Sequence, residues 1–220
     1  MAAFSPVTAD HDLVLFDLDG TLSDPLPGIA RSINYALAHF GYRERDPSEI
    51  AAYVGPPLDQ TLRSLTGVRS ADRVAALVDK YRERYGEVGY SENVLYPGIA
   101  DVLQALADAG VPLALCTSKR ADSAEKILRR FGIRPHFVFV SGGDIGIEKA
   151  QQIAALCEQR VAGPRTLMIG DRAGDLAAAH VNGLQAGGAL WGYGSRAELE
   201  AENPRYVFAS PAELRTLVDG

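Results

Sequence analysis

From Pro97 onward the chain alternates, almost without interruption, between amphipathic segments and short apolar runs. The spacing predicts a helix over 99–109, stopped by Gly110, and a strand over 112–116. The pattern repeats as helix 121–131, strand 137–140, helix 149–159, strand 166–169, helix 173–181 and strand 185–189. A short strand over 206–208 and a terminal helix opened by Ser210-Pro211 complete it. Apolar runs with no polar alternation are expected of strands covered on both faces. Strand–helix repetition at this spacing specifies a parallel sheet with right-handed crossovers and helices on both faces. The expected class is therefore α/β, with a doubly wound, Rossmann-like parallel sheet.

One further strand, over 12–16, lies far upstream, behind a loose lead-in over 1–11. Between it and Pro97 the periodicity is helical. Ile29, Ile33, Ala36, Leu37 and Phe40 mark one helix, stopped by Gly41. Pro47 opens a short second around Ile50, Leu58, Leu62 and Leu65 mark a third ending at Gly67, and Val74 to Tyr85 mark a longer fourth. No strand signal intrudes between about Asp24 and Gly89. The expected organisation is a core of residues 1–23 and 92–220 with an α-helical cap inserted over 24–91. A lid in that position would close over whatever lies at the end of the first strand and exclude water.

That strand end reads Asp17-Leu18-Asp19-Gly20-Thr21. Asp and Gly are both turn residues, so the stretch alone reads equally as a turn or a site. Carboxylates at the edge of a buried strand are costly unless paired, and a divalent cation is a common partner. Ligands of open α/β sheets bind at this edge. The other strand ends add Thr117-Ser118-Lys119, then Ser141-Gly142-Gly143-Asp144 leading to Lys149, then Gly170-Asp171-x-x-x-Asp175. Parallel strands bring all of these to one crevice. Acidic pairs, hydroxyls and a lysine suit phosphoryl transfer. A carboxylate can attack phosphorus, Mg²⁺ and a lysine offset the charge, and a second carboxylate moves the proton.

Composition narrows the partners. A net charge of −6 and the lack of a basic run argue against nucleic acid. Cys116 and Cys157 are far apart in apolar surroundings, as buried thiols in a reducing compartment would be. No apolar stretch is long enough to span a bilayer, and no basic segment precedes an apolar one at the start. A cytoplasmic protein, with no nucleic-acid or membrane partner, is expected.

Asp17-Leu18-Asp19-Gly20-Thr21 with Thr117, Lys149, Asp171 and Asp175 resembles the haloacid dehalogenase (HAD) superfamily of phosphohydrolases. Tyr53-Val54-Gly55-Pro56-Pro57-Leu58, Thr117-Ser118-Lys119 and Trp191-Gly192-Tyr193-Gly194-Ser195 are similar to its phosphoglycolate-phosphatase branch. The resemblance implies Asp17 as nucleophile and Asp19 as general acid/base. It implies Thr117 and the Ser118 amide as phosphate ligands, with Lys149 as charge-compensating lysine. Mg²⁺ would be held by Asp17, Asp171, the backbone carbonyl of Asp19, and Asp175 as ligand or anchor. The substrate would be a small phosphorylated metabolite, phosphoglycolate-like or a nucleoside monophosphate, and the protein a monomer or homodimer. A sugar-phosphate mutase of the β-phosphoglucomutase type is the first alternative, and a non-catalytic regulatory module the second. Lys149 lacks the proline that often follows this lysine in the family, so Lys119 and Lys126 stand as alternatives to it. Arg63 is a candidate contact to a substrate anion. Trp191 and Tyr193 either border the crevice or pack the loop. His11, His39, His136 and His180 share no spacing and read as structural.

Overall fold

The protein is described by a computed structural model over residues 11–218, so all but the last residue of the lead-in expected over 1–11 lies outside the described residues. β1 (Leu13–Phe16) leads through a tight loop to β2 (Ser23–Asp24). The cap follows as α1 (Leu26–His39), α2 (Pro47–Ala51), α3 (Leu58–Thr66) and α4 (Ala71–Glu87). The chain returns through a 3₁₀ turn at Gly89–Glu92 and β3 (Val94–Leu95). It then alternates: α5 (Ile99–Asp108), β4 (Leu113–Thr117), α6 (Ala121–Arg130), β5 (Phe137–Gly142), α7 (Lys149–Glu158), β6 (Thr166–Gly170), α8 (Ala173–Val181), β7 (Gln185–Ala189), α9 (Arg196–Glu200) and β8 (Tyr206–Phe208).

Six of these strands form one parallel sheet in the order β5-β4-β1-β6-β7-β8. β1 lies inside it, with Phe16 paired to Leu115 on one side and Ile169 on the other. All four of its residues are buried. Successive strand side chains point to opposite faces. Val14 and Phe16 accordingly pack with Ile99, Leu103 and Ile127 of α5 and α6. Leu13 and Leu15 pack with Ile153 and Leu176 of α7 and α8. The cap has its own cluster, built from Ile33, Leu37, Ile50, Leu62, Leu77 and Val78.

The cap helices are terminated and capped as their sequence suggests. Gly67 closes α3 in the left-handed conformation, and the side chains of Asp46 and Ser70 accept from the first turns of α2 and α4. Three features depart from the expectation. β2 and β3 form an antiparallel ribbon in which the two crossings between core and cap lie side by side, Ser23 against Leu95 and Asp24 against Val94. Two residues per strand, partnered some seventy positions apart, leave no local periodicity to read. α9 is one short turn, and the final segment Pro211–Leu217 is 3₁₀ rather than α.

Candidate active site

Asp17 directly follows β1, and its amide donates to the Ile169 carbonyl of β6 at 2.9 Å. The chain then turns sharply. The Leu22 and Ser23 amides return to the Leu18 carbonyl, and the Gly20 amide donates to Ser23. Gly20 has a positive φ of 84°, and a Cβ there would lie 2.1 Å from an Asp171 oxygen. Only glycine lets this turn sit against the β6 end. Asp17 and Asp171 therefore meet because β1 and β6 are neighbours, and Asp175 joins them from the first turn of α8.

Asp17, Asp171 and Asp175 are buried, and each offers one oxygen within 4.8 Å of the others. Thr21 Oγ1 donates to Asp171 Oδ1 at 3.0 Å, and the Tyr193 amide donates to Asp171 Oδ2 at 2.8 Å. Lys149 Nζ lies 3.0 Å from Asp17 Oδ1 and also ion-pairs with Asp175 Oδ1. The Arg172 amide donates to Asp175 Oδ2 at 3.1 Å, so both Asp175 oxygens have protein partners. One lysine thus stands among three buried carboxylates. Burial, reinforced by the charges of Asp175 and Asp17, pushes Asp171 up to about 8. Burial also raises Asp175, against the pull of Lys149. Burial alone would lower Lys149, but the surrounding acids raise it, so it stays charged. Such a surplus of buried negative charge fits a divalent cation. The carboxyl of Asp19 is not part of this group.

Asp19 turns the other way. Its Oδ2 lies 2.8 Å from Lys119 Nζ, with both side chains nearly buried. Burial raises Asp19, and Lys119 counters it. The alternatives for the charge-compensating lysine are thereby separated in space: Lys149 faces Asp17, and Lys119 faces Asp19. Lys126 is exposed, with Nζ 5.2 Å from the centre of the Tyr90 ring.

Thr117 is buried at the end of β4, and its Oγ1 accepts from the Lys119 amide at 3.3 Å. Asp17, Asp19, Thr117, Ser118 and Lys119 line one side of a cavity of about 160 Å³, and the cap lines the other. Tyr53 through Leu58 belong to that cap wall, with Tyr81 and Tyr85 of α4. The same stretch is also a helix start, since Pro57 precedes α3. Arg63 is not on the wall; it donates to the Arg69 carbonyl at 3.0 Å. The Arg82–Asp144 ion pair at 2.6 Å and the Arg172 bond to the Val54 carbonyl at 2.8 Å join cap to core around the rim.

The loop after β7 braces the site rather than merely filling space. Trp191 Nε1 donates to the Thr21 carbonyl at 2.9 Å, and the Tyr193 hydroxyl donates to Asp24 at the root of the cap. Between them, a Cβ on Gly192 would lie 2.3 Å from Asp171 Cβ and 2.4 Å from the Gly20 carbonyl oxygen. The glycine-rich composition of 191–195 was the available signal. Glu198 of α9, which accepts from the Ala173 amide and Arg172 Nε, carried none. His11 edges onto Tyr206, away from the crevice. Burial pushes the Cys116 thiol up to about 12, as befits a packed residue.

Comparison with known proteins shows the family. The model of the haloacid dehalogenase-like hydrolase family matches residues 14–189. A 5'-nucleotidase of Pseudomonas aeruginosa is 38% identical over 210 residues, covering 94% of this chain and 95% of that protein. A phosphoglycolate phosphatase of Vibrio parahaemolyticus is 31% identical over 220 residues, covering 95% and 96%. Among solved structures, protein tyrosine kinase A (PtkA) of Mycobacterium tuberculosis superposes with a TM-score of 0.79 at 34% identity, covering 96% of this chain and 99% of that one. No helix among the described residues is long and apolar enough to cross a membrane. With the family model running from β1 through β7 and relatives aligned over nearly their whole length, the chain belongs to the haloacid dehalogenase-like hydrolase family.

Proposed function

We propose that this protein is a Mg²⁺-dependent phosphomonoester hydrolase that works through an aspartyl-phosphate on Asp17. The observation that carries the reading is the separation of two buried carboxylate–lysine pairs, Asp17 with Lys149 and Asp19 with Lys119, whose carboxylate residues stand two apart in the chain on the lining of one cavity. Each carboxylate thus has a lysine of its own, which suits one of them to attack phosphorus and the other to move a proton.

An oxygen of Asp17 attacks phosphorus. The bond from phosphorus to the leaving oxygen breaks, and that oxygen takes the proton of Asp19. Thr117 and the Ser118 amide hold the phosphoryl oxygens, and Lys149 offsets the charge on Asp17. Water then attacks the aspartyl-phosphate while giving a proton to Asp19, and inorganic phosphate leaves. A divalent cation held by Asp17, Asp171 and the backbone carbonyl of Asp19, with Asp175 as its anchor, would lower the charge of the phosphoryl group.

The cap wall bears on the substrate. Asp59 Oδ1, on the cavity lining, is buried with no hydrogen-bond partner among the described residues. Ile29, Ile33, Tyr53, Leu58 and Tyr81 line the same cavity with apolar and aromatic surface. A leaving group with hydroxyl or N–H donors and a flat apolar body would satisfy that wall. This favours nucleoside monophosphates over phosphoglycolate, in keeping with the name of the pseudomonad relative.

The test is phosphate release from nucleoside 5'-monophosphates, phosphoglycolate and p-nitrophenyl phosphate, with Mg²⁺ and with EDTA. Mg²⁺-dependent release that Asp17→Asn abolishes is expected. Full activity of Asp17→Asn would sink the mechanism. Transfer from ATP to a tyrosine with no release from any ester would sink the assignment.

A further inference from the structure

Lys119 sits where three parts of the molecule meet. Its Nζ ion-pairs with Asp19 Oδ2 at 2.8 Å. The same Nζ donates to the hydroxyl of Tyr85, on α4 of the cap, at 2.8 Å and lies 4.4 Å from that ring's centre. Its backbone amide donates to Thr117 Oγ1. Tyr85 is itself held firmly. It stacks on Tyr81 with ring centres 5.2 Å apart, and its hydroxyl accepts from Asn93 Nδ2 at 3.1 Å. The remaining oxygen of Asp19, Oδ1, is buried with no hydrogen-bond partner among the described residues, and Asp19 belongs to the cavity lining.

A buried carboxylate oxygen without a partner costs free energy unless a ligand completes it. Here its twin is fixed by a lysine that the cap in turn fixes. Resting on the phosphatase reading above, we propose that Lys119 is a positioning residue for proton transfer. It anchors Oδ2 of Asp19 so that Oδ1 faces the leaving oxygen. Because Tyr85 holds Lys119 from the cap, the proton-transfer group is fully assembled only when the cap is shut. In the first step the P–O bond to the leaving group breaks, and its electron pair takes the proton from Asp19 Oδ1. The carboxylate left behind is neutralised by Lys119. In the second step Asp19 regains a proton from the attacking water as the bond between Asp17 and phosphorus breaks.

Leaving-group chemistry separates this role from simple structural support. An alkoxide leaves poorly unless protonated, whereas p-nitrophenolate leaves well without a proton, so only the alkyl ester depends on a well-placed acid. The experiment measures kcat for adenosine 5'-monophosphate and for p-nitrophenyl phosphate with Mg²⁺, in the full-length protein and its variants, with thermal melts alongside. Lys119→Met is expected to lower kcat on the alkyl ester by about 100-fold, and on the aryl ester by about tenfold less, within the usual range for a general acid. Tyr85→Phe keeps the ring stack and removes the hydroxyl. It is expected to lose about tenfold on the alkyl ester, again with a smaller loss on the aryl ester. Lys119→Arg should recover part of the alkyl-ester activity. Equal losses on both esters in Lys119→Met, or equal losses in Tyr85→Phe if the lysine variant does not fold, overturn the inference while leaving the phosphatase reading intact. Absence of release from either ester by the wild type overturns that reading itself.

Discussion

Arg172, the residue after Asp171, donates through Nη1 to the carbonyl of Val54 in the cap at 2.8 Å, while its Nε holds Glu198 at 3.0 Å. The β6–α8 loop that positions two of the buried carboxylates thus also fastens the rim of the cap. A Cβ on Gly55 would approach Arg172 Cγ to 3.0 Å, which leaves little room for any other residue beside that side chain.

Arg172→Ala should therefore loosen the cap without touching the carboxylates. A half-buried, charge-assisted hydrogen bond contributes about 1 kcal/mol, or roughly a fivefold change in the ratio of closed to open forms. Faster amide exchange over Tyr53–Leu58, with KM raised about as much, is the expected outcome. Unchanged exchange there would show that other contacts hold the rim.

Asp171 makes the metal-free protein sensitive to pH. Its folded pKa of about 8 stands above the ordinary carboxylate value of about 4. The folded state therefore binds the proton more tightly. That stability is complete below about pH 4 and is lost between about pH 4 and 8, by up to about 1.4 kcal/mol per pH unit. Urea denaturation in EDTA should show falling stability across this window. Added Mg²⁺, which competes with the proton, should stabilise more at pH 8 than at pH 6. Asp171→Asn should flatten the EDTA profile and remove most of the response to Mg²⁺.

Lys149 is the shared ion-pair partner of Asp17 and Asp175. Lys149→Met leaves two buried carboxylates uncompensated. A loss of about 3–5 kcal/mol in chemical denaturation is expected, as for one partner of a buried ion pair, together with loss of phosphate release. Mg²⁺ should restore part of the stability and little of the activity. A variant as stable as the wild type in EDTA would contradict the pairing.

Gly192→Ala tests the brace. The new Cβ would collide with Asp171 Cβ and the Gly20 carbonyl, neither of which is the end of a flexible chain. Displacement of Asp171 should weaken Mg²⁺ binding by about 10- to 100-fold in a calorimetric titration, as for other disturbed supporting residues. Retention of wild-type affinity would show that the loop yields without moving Asp171.

The legible parts and the illegible parts divide along a physical line. The apolar runs at 13–16, 113–116 and 166–169 and the glycine stops at Gly41, Gly67, Gly110 and Gly132 are local signals, and the strands and helix ends follow them. Because parallel strands share a direction, the placement of Asp17, Thr117 and Asp171 at one sheet edge was likewise legible. The β2–β3 ribbon, Thr21 on Asp171, Trp191 on the Thr21 carbonyl and Glu198 at α8 depend on partners 25 to 170 positions away, which no local pattern encodes.

Asp17 and Asp19 show the same division most sharply. The chain alone sets two carboxylates two residues apart at a strand end, with Lys119 and Lys149 both downstream. It does not say which lysine serves which acid. Tertiary structure decides this because β1 lies between β4 and β6. Lys119 arrives from the end of β4 and Lys149 from the start of α7, and the turn through Gly20 sends the two carboxyl groups apart to meet them.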